Sequence, residues 1–230
     1  MKDKIGHETL KRMEKVGFYN KWLIKKVAKY LSGDILEIGC GIGNMTEILS
    51  GYGDVTATDI EKYYIARTKK RMKKRVSVGF GDAETGKFFF KNKKFDVVVN
   101  FNVLEHIKND EKAISIMERK LRKGGKLIIV TPAHKFLLGS LDKNLGHHRR
   151  YSKKEIRSKF KKAGLSVVEL KYLNWFGALG WFLNSRILRR KVLPSNQLGL
   201  FAFLSKHLLF LEKFISPLFG LSVLIVGEKP

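Results

Sequence analysis

The sequence predicts an α/β protein: a doubly wound, mostly parallel sheet of seven strands with helices on both faces and a helical insertion between the last two strands. Three observations carry this. Short β-rich runs alternate with helical ones along most of the chain, the pattern of a parallel sheet. A bare turn, "EIGCGIGN", follows the first run directly. The stretch 174–220, before the final run, is too long and too aromatic for a plain loop.

Each element can be justified in order. Residues 8–31 read as a helix, with Leu23, Val27, Tyr30 and Leu31 on one face and Lys21, Lys25, Lys26 and Lys29 off it. The strands are "DILEI" (34–38), "VTATD" (55–59), "VSVGF" (76–80), "FDVVVNF" (95–101) and "KLIIVT" (126–131), then 165–173 and 221–229. Helices follow Gly43, Asp59 and Asn109, the last expected to end at "LRKGG" with the glycines of a C-cap. "SKKEIRSKFKKAG" (152–164) is a capped helix with Ile156, Phe160 and Ala163 inward. The insertion divides into two helices, near 175–188 and 198–215. One domain spans 1–230, with a helical cap over 1–33, a substrate loop over 134–151 and an apolar lid over 174–220.

Composition narrows the function. Lysine and arginine number 46 against 21 acidic residues, a formal charge of +25, which favours anionic partners such as nucleic acid, phosphorylated metabolites or an acidic membrane face. The single cysteine, Cys40, excludes internal disulfides and cysteine-based zinc sites. No apolar signal core opens the chain and no uncharged stretch reaches spanning length, so an intracellular protein, cytoplasmic or peripheral on the cytoplasmic face of a membrane, is expected. The six histidines show no metal-ligand spacing, and no metal is expected.

A doubly wound sheet binds ligands beyond the carboxyl ends of its strands, where the strand order reverses. Gly39, Cys40, Gly41 and Gly43 lie at such an end, and glycine lets a ligand approach the main chain. A tight βα turn explains the same glycines without a ligand. Glu37, just before them, can orient the loop or reach an ammonium group. Asp59 ends the second strand, where a carboxylate can accept both hydroxyls of a ribose. Asp82, after the third strand in "GFGDAE", can bond an adenine edge.

Taken together, "LEIGCGIGN", Asp59, "GDAE", "FDVVVNFNVLEHI" and "LRKGGKLIIVTP" resemble, in content and order, the class I S-adenosylmethionine (SAM)-dependent methyltransferases. "GFYNKWL" and "GHHRRYSKKEI" are similar to segments of the ubiquinone-biosynthesis-like branch. The resemblance implies a Rossmann-like fold and SAM as cofactor. It also implies SAM contacts for Gly39, Gly41, Asp59, Asp82, Ala83 and Asn100, with Tyr19 as a lid residue.

Methyl transfer needs an aligned acceptor and, for oxygen, removal of a proton. His106, His147 and His148 are candidate bases, although His106 reads equally as a helix-start residue. Arg149 and Arg150, with Tyr151, could hold an acceptor's carboxylate or phosphate, or form a solvated basic turn. No D/N-P-P-Y/F follows the fourth strand, which opposes amino methylation of adenine or glutamine, and the one cysteine lies in the glycine turn, which opposes cytosine C5 attack. The expected activity is methylation of a small-molecule or lipid-linked acceptor, probed against two alternatives: a nucleic-acid methyltransferase and a non-catalytic SAM-binding regulator.

Overall fold

A computed structural model describes residues 17–190, 192, 208–209, 212 and 217–230. Among these, eight strands form one sheet: β1 (Asp34–Ile38), β2 (Asp54–Asp59), β3 (Ser77–Asp82), β4 (Lys87–Phe88), β5 (Phe95–Phe101), β6 (Leu121–Pro132), β7 (Ser166–Leu173) and β8 (Ser222–Glu228). Their order is β4-β3-β2-β1-β5-β6-β8-β7. Strands β3, β2, β1, β5 and β6 run parallel, while β8 is antiparallel to both β6 and β7. The strand beyond the expected seven is β4, two residues paired antiparallel with Gly81 and Asp82. The chain leaves β1 towards β2 on one side and returns to β5 on the other, so the order reverses at the carboxyl ends of β1 and β5.

Alternation along the strands builds two cores. Ile35, Val55, Ala57, Val97, Val99, Ile128 and Val130 face one way. They meet α1 (Gly17–Val27), α2 (Asn44–Leu49) and α3 (Lys62–Met72) through Leu23, Val27, Leu49 and Met72. Leu36, Ile38, Val98, Leu127 and Ile129 face the other way. They pack on α4 (Asp110–Arg119) and α6 (Lys153–Lys162) through Ile114, Met117, Ile156 and Phe160. Burial on both faces is what a parallel strand needs.

Three local differences from expectation have physical causes. α4 ends at Arg119, and "LRKGG" is drawn into β6 because Leu121 pairs with Phe95 while Lys126 pairs with Val97. The residues between form an irregularity that Gly124 permits with φ of +76°. The expected loop 134–151 contains a short helix, α5 (Ser140–Leu145), closed by Gly146 in the left-handed region. The first insertion helix is α7 (Trp175–Phe182), and it continues as a π-helical turn over Leu183–Ile187. The second expected insertion helix lies outside the described residues except at 208–209 and 212, and so do residues 8–16 of the N-terminal helix.

Candidate active site at the carboxyl ends of β1, β2, β5 and β6

The glycine turn is fixed by its neighbours on β2. The amides of Gly39 and Cys40 both donate to the Thr58 carbonyl, at 2.8 and 2.9 Å. Gly39 has φ of +81°, and any Cβ there would strike Val103, so strain and space both require glycine. Asp59 braces the turn from below: Oδ2 accepts from the Gly41 amide and Oδ1 from the Glu61 amide, each at 2.9 Å. Burial raises its carboxyl above the ordinary range against these backbone bonds. Glu37 is fully enclosed, and its Oε2 accepts from Thr46 Oγ1 at 2.6 Å. Burial pushes this carboxyl up to about 7, the Thr46 bond opposing and the Asp59 charge reinforcing the shift. Two carboxyls strained in this way by desolvation favour a cationic ligand.

The remaining cofactor candidates divide. Asn100 is buried at the end of β5, where Oδ1 accepts from the Leu104 amide at 3.1 Å. Its Nδ2 is buried with no partner among the described residues, a donor without an acceptor. Asp82 uses its carboxylate locally, accepting from the Glu84 amide at 2.7 Å and Thr85 Oγ1 at 2.7 Å. Its side chain therefore shapes the turn, which leaves the turn's backbone to meet a base edge. Ala83 is buried against the second core. Cys40 is buried too, and burial pushes its thiol well up, so it is packing rather than a nucleophile. Tyr19 is buried beside Trp22, with ring centroids 5.4 Å apart. Burial raises its hydroxyl against hydrogen bonds with Asn174 and Ser222, which places it between α1 and the ends of β7 and β8. These features fit SAM: a cleared backbone, two buried acids and an orphaned amide converge at the reversal point.

A second polar assembly lies beyond β5 and β6, and its centre is Asp142, a residue sequence reasoning passed over. Asp142 Oδ2 accepts from the Gly139 amide at 3.0 Å and from Trp181 Nε1 at 3.1 Å. Oδ1 lies 2.9 Å from His147 Nδ1 and accepts from Arg150 Nε at 2.7 Å. Burial alone would raise this carboxyl, but the His147 bond and the Arg150 charge hold it below its ordinary range. An ionised Asp142 accepts only, so His147 carries a proton on Nδ1 and turns Nε2 away from this carboxylate.

The two arginines expected to hold an acceptor divide. Arg150 is 1% exposed, and besides Asp142 it donates to the Ala133 carbonyl at 3.0 Å and lies 4.9 Å from the Trp181 ring centre. Its guanidinium is committed within the protein, because a buried charge demands such partners. Tyr151 is fully buried and donates to Asp110 Oδ2 at 2.8 Å. Arg149 pairs with the same carboxylate at 3.0 Å and with the Lys108 carbonyl at 2.7 Å, and it stays partly exposed. The His148 side chain is exposed; its amide donates to the Glu105 carbonyl at 2.9 Å.

Glu105 carries no signal in the sequence that marks it as functional. It is fully buried after β5, with Oε2 accepting from Thr131 Oγ1 at 3.1 Å. Oε1 has no hydrogen-bond partner among the described residues. The His106 and His147 rings meet edge to face, with centroids 4.8 Å apart. Two candidate bases distant in sequence are thereby adjacent in space.

The comparisons with known proteins agree with this geometry. A family model described as a methyltransferase domain matches residues 13–170, more than half of the chain. Malonyl-[acyl-carrier protein] O-methyltransferase of Paenibacillus sp. (strain JDR-2) is 32% identical over 104 residues, 42% of this chain and 38% of that protein. Ubiquinone biosynthesis O-methyltransferase of Brucella ovis is 30% identical over 104 residues, 42% of this chain and 40% of that protein. The chain thus spans less than half the length of these two curated relatives. Among solved structures, a chain of the complex between the Haloferax volcanii Trm112 methyltransferase activator and a methyltransferase superposes with TM-score 0.64. It is 17% identical, over 97% of this chain and 95% of that one. Haemonchus contortus phosphoethanolamine N-methyltransferase 2, solved with S-adenosyl-L-methionine, gives 0.62 at 19% identity, over 92% of this chain and 53% of that one. At such identities the likeness is one of fold. Because the family match spans residues 13–170, a stretch that includes the glycine turn, Asp59 and the end of β5, this chain belongs to the methyltransferase-domain family, in its SAM-dependent class I.

Proposed function

We propose that the protein transfers a methyl group from SAM to an oxygen of a small-molecule or lipid-linked acceptor. SAM, when bound, supplies a methyl on an already activated sulfonium. The chain's own residues have three tasks. The turn 39–43, Asp59 and Asn100 hold the cofactor and fix its direction. Glu105, His106 and His147 face the acceptor and draw its proton away. Asp142, braced by Arg150 and Trp181, positions His147.

The observation that carries the reading is His147, oriented by Asp142, beside the unpaired Glu105 oxygen, just past the strands that end at the cofactor cradle. Oxygen as the methylated atom draws support from the names of two relatives. An amphiphilic acceptor is supported by α7 and its π-helical extension, where Leu179, Leu183 and Ile187 lie four residues apart and are all exposed. Such an apolar stripe with Arg186 and Arg189 nearby suits an acidic lipid surface. No helix among the described residues is long and apolar enough to cross a membrane.

One feature favours the nucleic-acid alternative: the basic surface that Lys153, Lys154, Arg157, Lys161 and Lys162 form on α6. Transfer of labelled methyl from SAM into separated lipid, small-metabolite and RNA fractions decides between them. Label in lipid or metabolite is expected. Label confined to RNA would replace this reading, and label in no fraction would favour a SAM-binding regulator.

A further inference from the structure

We infer that Glu105, His106 and His147 form a binding site for one divalent transition-metal cation of the zinc type. Their donor atoms lie within 4.8 Å of one another. A four-coordinate cation about 2.1 Å from each donor needs them about 3.3 Å apart. Exposed His106 closes that gap by a side-chain rotation that exchanges its present contacts for the cation, while buried Glu105 and half-buried His147 are held in place. Two imidazoles and one carboxylate suit zinc, cobalt or iron(II) rather than magnesium or calcium, which prefer all-oxygen shells.

Two independent observations point to a ligand here. Glu105 Oε1 is buried with no hydrogen-bond partner among the described residues, a costly state that a coordinated cation would relieve. His147 is arranged as metal-bound histidines are: Nδ1 lies against a carboxylate 2.9 Å away, which directs Nε2 outward.

Three protein donors leave a coordination position open. On the methyl-transfer reading, the acceptor oxygen takes that position, and the cation makes its hydroxyl more acidic. The released proton passes to solvent water, because Glu105, His106 and His147 then hold the cation rather than act as bases. Cation binding itself does not depend on that reading.

The test is visible absorption of the chelator-treated full chain titrated with cobalt(II) chloride, with SAM calorimetry run on every variant. The expected result is saturation at one cobalt per chain, with ligand-field bands that zinc chloride abolishes. Glu105→Gln and His106→Ala should each weaken cobalt binding at least about tenfold, and His148→Ala should leave it unchanged. Unchanged SAM affinity confirms that the His106→Ala variant keeps its fold. Absence of bands in the wild type, or equal cobalt affinity in folded His106→Ala, would overturn the site. Cobalt uptake by a chain that fails to bind SAM would retain the cation site and remove the methyl-transfer reading instead.

Discussion

At the scale of single residues, desolvated acids set the electrostatics. Glu37 is held up to about 7 by burial, from an ordinary 4.5. Across that window the folded protein keeps a proton that the unfolded chain has released, so stability falls as pH rises through it. Glu37→Gln removes the titration. Above pH 7 the variant should be more stable than wild type by up to about 3 kcal/mol, a difference that vanishes below 4.5. Urea unfolding at several pH values checks this, and parallel curves for the two proteins would refute it. Asp142 behaves oppositely. Its depressed carboxyl contributes stability above the ordinary carboxylate range, and that is lost as pH falls through the folded value. Asp142→Asn leaves Arg150 buried without its counter-charge and should cost about 3–5 kcal/mol at neutral pH in the same assay. The placement of Asp59 and the glycine turn was legible in the sequence because it arises within one βαβ unit. Asp142, Glu105 and the commitment of Arg150 were not, since each depends on partners brought from other elements.

At the scale of elements, α7 links the insertion to the polar cluster. Asn174 caps it by accepting from the Gly177 amide at 2.8 Å. Glu212 lies at its start, accepting from the Asn174 and Trp175 amides at 3.1 and 2.9 Å, a carboxylate placed at the positive end of a helix. One turn further, Trp181 reaches Asp142. The outer face carries the exposed stripe Leu179, Leu183 and Ile187. Replacing Leu183 and Ile187 together with Glu should reduce co-sedimentation with acidic vesicles by at least tenfold, at about 1.5 kcal/mol or more per lost apolar side chain, while SAM binding stays unchanged. Equal sedimentation would assign lipid affinity to the basic surface at large. The strands were readable from their period and the first insertion helix from its composition. "LRKGG" misled because glycines that end a helix also permit an irregular strand, and pairing with Phe95 decided the matter. α5 was missed because six residues with one glycine at each end carry little periodic signal.

At the scale of the whole molecule, a net charge of +25 accompanies a sheet whose functional groups all lie at one edge. The glycine turn, Asp59, Asn100, Glu105 and the Asp142 assembly lie at or beyond the carboxyl ends of β1, β2, β5 and β6, so on the proposed reading cofactor and acceptor chemistry meet where the strand order reverses. Association with acidic vesicles should weaken as salt rises, because the basic residues act over a screened range. The central claim is that this edge is a SAM site organised around Asp59. Calorimetric titration of the full chain with SAM tests it most directly. The account predicts one site of micromolar affinity, weakened roughly 10- to 150-fold by Asp59→Ala, the equivalent of one charged hydrogen bond of about 1.5–3 kcal/mol. Unchanged affinity in a folded Asp59→Ala protein, or no binding by the wild type, would contradict it.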